Sequence, residues 1–180
     1  IGEDKADGTP DYEKPTGFMF HTMITPLGYV GMGSQWEWGW APTNGAWALQ
    51  GMYDYYRFTL DIEKLKNDIY PAMEECALMW TQLLIEDKNS GRLVVSPGYS
   101  PEHGPVAAGN TYDQCIVYNL YSDVLHAAKE LTEKGFGDAV NRELISIVEK
   151  QITCLKPLHI GKWGQIKEWY EEDEWYKSLK

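Results

Sequence analysis

The sequence predicts an all-α fold, built as a stack of antiparallel helical hairpins with long aromatic-rich loops at one end. Four long segments carry apolar residues at spacings of three and four, which is the period of one helix face. The stretches between them are rich in Pro and Gly, which interrupt regular structure. A β-prone run at 92–95 is too short to indicate a sheet. The length of 180 residues favours a single segment, 1–180, over two domains.

Composition excludes several classes of partner. The 16 Lys and Arg against 27 Asp and Glu give a net charge of -11 with no basic stripe, so we expect no nucleic-acid partner. No apolar run approaches the ~18 residues of a membrane helix, so we expect no membrane partner, and the compartment stays unknown. Cys76, Cys115 and Cys154 lie far apart in apolar segments, which predicts buried thiols and no disulfide, metal site or cofactor.

The N-terminal part of the chain lacks a helical period. Residues 1–16 form a polar lead-in, and 17–44 combine Gly, Pro and Thr with many aromatic rings. An irregular stretch of this length is often functional, so we assign it to a wall of a binding site; a loop that covers the core is the alternative. Trp36, Trp38 and Trp40 alternate, so at most one face of this run can line a cleft, and Trp40 is our candidate for contact with a ligand.

Two helices follow and form the first predicted hairpin. The first helix is predicted over 45–59, with Thr43 or Asn44 as its cap. Pro71, at a position where a missing N–H costs nothing, opens a second long helix over 71–86. The apolar stripes of the two helices comprise Trp47, Leu49, Met52, Tyr53 and Tyr56 in the first, and Met73, Ala77, Trp80, Leu83 and Leu84 in the second.

Two more helices form the second predicted hairpin. A third helix is predicted over 110–134, where the run from Asn110 to Asp113 resembles a capping box with Asp in place of Glu. Two glycines end it, and a fourth helix is predicted over 138–153. The inward residues are Ile116, Leu120, Val124, Ala127, Ala128 and Leu131 in the third helix, and Val140, Leu144, Ile147, Val148 and Ile152 in the fourth.

Between the hairpins lies a loop, 96–105, with the sequence Ser-Pro-Gly-Tyr-Ser-Pro-Glu-His-Gly-Pro. Its prolines fix several φ angles and its glycines interrupt regular structure, so the one carboxylate of the loop, Glu102, sits on a stiff, non-helical mount. General acid catalysis needs a carboxyl held within hydrogen-bond reach of one atom, which makes Glu102 the candidate catalytic residue. The alternative is a solvent-exposed turn with an incidental Glu.

Two motifs resemble a known family. The Ser-Pro and Ser-Pro-Glu of the loop 96–105 are similar to the Pro-Ser-x-Ser-Pro-Glu-Asn loop of glycoside hydrolase family 95, the inverting α-L-fucosidases with an (α/α)6 barrel catalytic domain. The segment 157–169, which ends in Gly-Gln-Ile-Lys-Glu-Trp, is similar to that family's Ile-Gly-x-x-Gly-Gln-Leu-x-Glu-Trp segment. Weaker similarities, in the family's order, are Gly17-Phe with His21, Gly45-Ala-Trp47, Tyr56-Arg-Phe-Thr59, and Asp113 with Ile116.

The resemblance implies a fold, an activity and a set of site residues. It implies that the chain is part of an (α/α)6 barrel, and that the protein hydrolyses terminal α-L-fucosides, or α-L-galactosides, of an oligosaccharide or glycan with inversion. Glu102 would be the general acid that protonates the glycosidic oxygen, with its pKa raised by aromatic surroundings. The candidate substrate-binding residues are His21, His103, Trp163 and Glu168, which lie in or beside the matching motifs, together with Trp40 from the aromatic run.

The chain carries only part of what the family's chemistry requires. The family activates water with an Asn-x-Asn motif and a downstream Asp, and this sequence matches neither. His103 stands where the family usually has Asn, and Gly51 where a His often follows the Gly-Ala-Trp-Leu start. A full barrel needs twelve helices, whereas four long ones and a short terminal one are predicted. We therefore expect a central portion of a catalytic domain, whose remainder completes the barrel, and no measurable hydrolysis by these 180 residues alone.

Alternative interpretations stay open at this point. One is a non-catalytic carbohydrate-binding or scaffold fragment of the same helical toroid, and another is a different enzyme of that toroid, such as a lyase, in which Glu102 has another partner. For Glu168 the alternative to sugar contact is a hydrogen bond that braces a neighbouring loop. The gene sequence on both sides of these residues distinguishes the fucoside hydrolase from the non-catalytic fragment, because an Asn-x-Asn upstream and an Asp-containing motif downstream favour the hydrolase.

Overall fold

The computed structural model describes residues 17–19, 23–25, 27–31, 40–100 and 104–178. Within these ranges the chain is mostly helical, which confirms the predicted all-α class. The helices of the described part are α1 (Asn44–Thr59), α2 (Ile62–Lys64), α3 (Tyr70–Leu83), α4 (Thr111–Glu133), α5 (Arg142–Cys154) and α6 (Glu172–Ser178). A π-helical turn, Leu65–Ile69, joins α2 to α3, and a 3-10 turn, Gly137–Ala139, precedes α5.

Three small antiparallel pairs of strands lie in the loops of the described part. The pairs are β1 (Met23–Ile24) with β2 (Val30–Gly31), β3 (Ile85–Asp87) with β4 (Arg92–Val94), and β5 (Gly98–Tyr99) with β6 (Val106–Ala107). In the last pair Gly98 lies opposite Ala107 and Tyr99 opposite Val106, so the pairing of β5 with β6 brings together the two sides of the loop 96–105.

Helix α4 is the centre of the described core, because it packs against α1, α3 and α5. Its residues Val117, Val124, Ala127 and Leu131 have no exposed surface. All six inward residues predicted for this helix are buried, so the helical period read from the sequence is confirmed there. Burial on three sides also means that α4 offers a fixed platform to any loop that rests on its first turn.

The predicted stripe of α1 is wrong at two positions. Leu49, Tyr53 and Tyr56 are buried, but Trp47 is 56% exposed and Met52 is 39% exposed. For Trp47 the reason is geometric: residues two apart lie on opposite sides of a helix, and Trp47 is two residues before the buried Leu49. The outer face of α1 is therefore apolar and uncovered in the described part of the chain.

Two predicted helix boundaries also need correction. The second long helix ends at Leu83, short of residue 86, because Ile85–Asp87 pairs with Arg92–Val94. The β-prone run thus does form a strand, although the pair is only three residues long. The fourth helix begins at Arg142 because the Asn141 side chain accepts a hydrogen bond from the Leu144 N–H (3.1 Å) and caps it there.

The cysteines are unpaired, but only part of the prediction for their burial holds. Cys76 is buried, Cys115 is half-buried and Cys154 is exposed. Cys154 is the last residue of α5 and lies away from the side on which Leu144 and Val148 are buried, which explains its exposure. Across the described residues, no helix combines the length and the apolarity that a membrane crossing requires.

A lysine–aspartate pair ties the β3–β4 turn to the segment after α5. Lys156 Nζ lies 2.7 Å from Asp87 Oδ2, and both side chains are largely buried. The same ammonium group lies 3.4 Å from the centre of the Tyr170 ring. Hydrogen bonds from Lys156, from Ser90 and from the Asn89 N–H lower the pKa of Asp87 to about 2. The charged form of Asp87 is therefore stabilised by the fold.

This pair predicts a pH-dependent contribution to stability. The folded pKa of Asp87 is depressed below the value of about 3.9 for an unfolded Asp, so the stabilisation is complete above about pH 4 and is lost as the pH falls toward about 2. We expect Asp87→Asn to lower the Tm of the purified protein near neutral pH and to approach the wild-type Tm in acid. The measurement is thermal unfolding at a series of pH values.

The matched control is Asp54→Asn. Asp54 pairs with Arg57 at 3.2 Å, but both side chains are more than half exposed, and such pairs contribute little to stability. We expect this variant to follow the wild-type curve at every pH. A Tm difference between wild type and Asp87→Asn that stays constant from about pH 6 to about pH 2 would show that the Asp87 charge is not stabilised by folding.

Candidate active site

The structure describes the surroundings of the predicted site more fully than its centre. The residues Glu102, His21 and His103 lie outside the described residues, as do Trp36 and Trp38. Of the predicted site residues, the structure describes Trp40, Trp163 and Glu168. It also describes residues 96–100 and 104–105, which we call the first and second legs of the loop 96–105. The described part of the site therefore consists of the groups that hold this loop in place.

The first leg of the loop is fixed by three hydrogen bonds. The Trp40 indole N–H donates to the Pro97 carbonyl (2.9 Å), and Trp40 keeps 38% of its surface exposed. The Gly109 N–H donates to the Val95 carbonyl (2.7 Å), and the Val95 N–H donates to Gln114 Oε1 (2.8 Å). Because Gln114 belongs to α4 and is itself buried, this leg is attached directly to the central helix.

The floor beneath the loop is a buried polar cluster of Thr43, Asn110 and Asp113, all without exposed surface. The Thr43 hydroxyl donates to Asp113 Oδ1 (2.7 Å), and the Asn110 amide donates to Asp113 Oδ2 (2.7 Å). The Asp113 N–H donates back to Asn110 Oδ1 (2.9 Å), which makes Asn110 the cap of α4, as the sequence predicted. We call these three residues the Asp113 cluster.

Thr43 differs from its predicted role. It stands at the position before α1, but its side chain makes no capping hydrogen bond there and donates to Asp113 instead. Burial raises the pKa of Asp113, whereas the hydrogen bonds from Thr43 and Asn110 act in the opposite direction. The hydroxyl that could have capped α1 is thus used to satisfy a buried carboxyl.

Gly98 rests directly on the Asp113 cluster. A Cβ at Gly98 would lie 2.3 Å from Asn110 Nδ2 and 2.8 Å from Asp113 Oδ2, distances at which atoms overlap. Only glycine allows the backbone of β5 to approach the cluster this closely. The loop is therefore seated on α4 by shape as well as by hydrogen bonds.

Both legs of the loop are supported by the segment 157–169, which we call the C-terminal motif. The Ser100 hydroxyl donates to Glu168 Oε2 (3.0 Å). A Cβ at Gly104 would lie 2.8 Å from Cζ3 of the buried Trp169, so the returning chain passes over that indole ring. The Thr111 N–H donates to the Glu168 carbonyl (2.8 Å), which joins the motif to the first turn of α4. The observed bond to Ser100 is the brace that we gave as the alternative for Glu168.

Two buried acidic side chains hold the C-terminal motif in turn. Glu172 Oε2 accepts a hydrogen bond from the Glu168 N–H (2.6 Å), and Glu172 Oε1 accepts one from the Gln165 amide (3.2 Å). Asp173 pairs with Lys167 at 3.0 Å between Oδ2 and Nζ. Neither Glu172 nor Asp173 was among the predicted site residues, and their positions three and four residues after Trp169 were the sequence signal that could have suggested a supporting role.

The remaining predicted residue, Trp163, lies near the tip of a turn between the paired residues Ile160 and Ile166. Its indole is 60% exposed, and Lys162 Nζ lies 4.1 Å from its centre. A separate groove of about 540 Å³ lies between α4 and α5, lined by residues such as Tyr118 and Leu158. Of the predicted site residues that the structure describes, none lines this groove. Among the described residues, no three His, Cys, Asp or Glu side chains gather closely enough to hold a metal ion.

The described geometry defines a class of protein: an all-α protein of helical hairpins in which residues 96–100 and 104–105, on either side of the Pro-Glu-His of the loop 96–105, are held on the central helix and on the segment 157–169. Comparison with known families narrows this class. The model of the glycosyl hydrolase family 95 catalytic domain matches residues 3–178, and the chain belongs to this family. The resemblance noted from the sequence motifs is thereby confirmed.

Similar proteins carry fucosidase names. The chain is 30% identical over 165 residues to "Probable alpha-fucosidase A" of Aspergillus niger, which covers 88% of this chain and 20% of that protein. It is 32% identical over 146 residues to "Alpha-L-fucosidase 2" of Arabidopsis thaliana, covering 76% of this chain and 16% of that protein. The chain therefore spans a fifth or less of the length of these curated relatives.

The contact between Gly104 and Trp169 predicts a packing cost on substitution. In Gly104→Ala the new Cβ would overlap the Trp169 ring at a position with φ of +102°, so we expect backbone strain plus overlap, about 2–5 kcal/mol in total. Thermal unfolding of the purified protein measures this loss. The matched control is Gly164→Ala, which has a similar backbone (φ +84°) but open space around the new Cβ, and we expect about 1–2 kcal/mol. Equal Tm losses in the two variants would mean that the loop does not rest on Trp169.

Proposed function

We propose that the protein is a glycoside hydrolase that cleaves terminal α-L-fucosides of oligosaccharides with inversion, and that Glu102 is its general acid. The observation that carries the proposal is the support of the loop 96–105 on both sides of Glu102. Trp40 and Glu168 form hydrogen bonds with the loop, and the Asp113 cluster and Trp169 pack against its glycines. Membership of the family and the fucosidase names of the relatives support the substrate class.

Covalent geometry limits where Glu102 can be. Glu102 is two residues from Ser100 and two from Gly104, so its Cα lies within about 7 Å of the Cα of each of these residues. Both Ser100 and Gly104 rest on the C-terminal motif, through Glu168 and Trp169. A carboxyl on such a short, doubly anchored bridge suits proton donation, because a general acid has to meet one oxygen atom at hydrogen-bond distance.

The sugar contacts are proposed from exposure and position. Trp40 and Trp163 keep 38% and 60% of their surfaces exposed, and flat exposed indoles suit the apolar face of a sugar ring. His21 and His103 remain predictions from the family motifs. For Glu168 the bond from Ser100 favours a bracing role, so we propose that it affects the sugar through the loop.

We further propose that the chain is the central portion of a catalytic domain, and that other helices of the full-length protein cover its open faces. The outer face of α1 supports this, because Trp47, Tyr55 and Phe58 lie on one side of it and are 56%, 49% and 89% exposed. A water-activating group has to come from outside this chain, since the sequence lacks the family's Asn-x-Asn motif. A non-catalytic carbohydrate-binding fragment is the second candidate function, and this missing motif is the observation that favours it.

Removal of the Glu102 carboxyl tests the proposed mechanism. We expect Glu102→Gln in the full-length gene product to hydrolyse a fucosylated oligosaccharide about 10²–10⁴ times more slowly than the wild type, because the sugar leaving group then departs without a proton. With a nitrophenyl α-L-fucoside the loss should be much smaller, since that leaving group is stable as an anion. Both rates are measured as kcat/KM.

The control is Glu86→Gln, an exposed carboxyl on β3, which should leave both rates unchanged. Equal losses of Glu102→Gln on the two substrates would remove proton donation from the role of Glu102. Wild-type rates for Glu102→Gln on both substrates would remove Glu102 from the mechanism altogether. Binding of a fucosylated oligosaccharide without any turnover by the wild type would favour the non-catalytic function.

A further inference from the structure

We infer that Asp113 is a positioning residue: its buried carboxyl, held by Thr43 and Asn110, fixes the loop backbone at Gly98 and thereby places Glu102. The part of this inference that concerns Glu102 rests on the proposed function, whereas the anchoring of the loop does not. Asp113 has no exposed surface, so it is a support for the loop and does not itself meet a substrate.

The carboxyl of Asp113 is not needed to begin α4. The Asn110 side chain already accepts a hydrogen bond from the Asp113 N–H (2.9 Å), which is the bond that caps a helix N-terminus. The carboxyl instead receives the Asn110 amide and the Thr43 hydroxyl, each at 2.7 Å. A buried carboxyl carries a desolvation cost that a neutral side chain would avoid, so its presence calls for a task beyond capping.

Thr43 connects this carboxyl to a second helix. The Thr43 hydroxyl donates to Asp113, which is 70 residues away in the sequence, and α1 is left without a side-chain cap. With Thr43 on one oxygen and Asn110 on the other, the plane of the Asp113 carboxyl is fixed from two sides. The Asn110 amide is fixed with it, because it is held at its oxygen by the Asp113 N–H and at its nitrogen by Oδ2.

The position of the cluster passes to the loop through Gly98. The backbone of Gly98 lies so close to Asn110 Nδ2 and Asp113 Oδ2 that a Cβ would overlap both. Gly98 pairs with Ala107, which follows the second leg, so both legs move if the cluster moves. Glu102 is only four residues from Gly98, and a shift of about 1 Å in a reacting group is enough to lower a rate by about 100-fold.

The test uses the full-length gene product and a pair of variants at Thr43, one that removes the hydroxyl and one that keeps it. Thr43→Val removes the donor to Asp113 at nearly constant volume, and Thr43→Ser keeps it. We expect Thr43→Val to lower kcat for a fucosylated oligosaccharide by about 10-fold or more, with KM within about 3-fold, and Thr43→Ser to stay within about 2-fold of the wild type in both. Well below the Tm, amide hydrogen exchange across 98–107 should be faster in Thr43→Val only.

Two further variants separate positioning from general stability. Gly98→Ala keeps all three side chains of the Asp113 cluster but adds a Cβ that overlaps Asn110 Nδ2 and Asp113 Oδ2, so the loop and the cluster can no longer approach as closely. We expect it to lower kcat as Thr43→Val does, and the double variant to lose less than the product of the two losses. The control is Asp123→Asn, which changes a half-buried side chain of the helix that carries Asp113, ten residues or about 15 Å further along its axis, and should change neither kcat nor exchange across 98–107.

The outcomes separate this inference from the proposed function. If Thr43→Val and Thr43→Ser have the same kcat and the same exchange across 98–107, Asp113 is not a positioning residue. A lower Tm for Thr43→Val with wild-type kcat and exchange would reduce the Asp113 cluster to a stabilising contact and overturn the inference. If the wild type hydrolyses no fucoside, the proposed function fails, and faster exchange in Thr43→Val alone still supports the anchoring, whereas unchanged exchange overturns it.

Discussion

The buried carboxyl of Asp113 is the constraint on which the described site depends. A carboxyl with no access to water is stable only when its oxygens are hydrogen-bonded, and here Thr43 and Asn110 provide one donor each. Its position in the first turn of α4 adds the favourable end of the helix dipole. One group thus joins the start of α1 to the start of α4. The same group forms the floor on which Gly98 rests, so the loop inherits its position from the packed core.

The two motifs that resemble the family most strongly are separated by about sixty residues of sequence but meet in the fold. The loop 96–105 contributes Ser100 and Gly104, and the segment 157–169 meets them with Glu168 and Trp169. Glu172 and Asp173 fix that segment from behind. The likeness of both motifs to one family therefore has a physical reason in this chain: one segment carries the candidate acid, and the other limits how the loop can move.

Periodicity and local chemistry were enough to predict the central helix and its cap. The buried face of α4 and the Asn110 cap depend on spacing and on a side chain three residues from its partner. The bond from Thr43 to Asp113 could not be predicted, because it joins residues 70 positions apart and Thr43 looked like an ordinary cap. The exposure of Trp47 was missed although the spacing indicates it, because Trp47 is two residues before the buried Leu49 and therefore lies on the other side of α1. The strand at Ile85–Asp87 formed against helical expectation because a pairing partner lies five residues beyond it.

A crystal structure of full-length Glu102→Gln with a fucosylated oligosaccharide tests the role of Glu102 most directly. We expect the amide that replaces the Glu102 carboxyl to lie within about 3 Å of the glycosidic oxygen, with Ser100 on Glu168 and Gly104 over Trp169 as in the free chain. A sugar bound elsewhere, for example in the groove beside Tyr118 and Leu158, or a glycosidic oxygen out of reach of residue 102, would contradict that role.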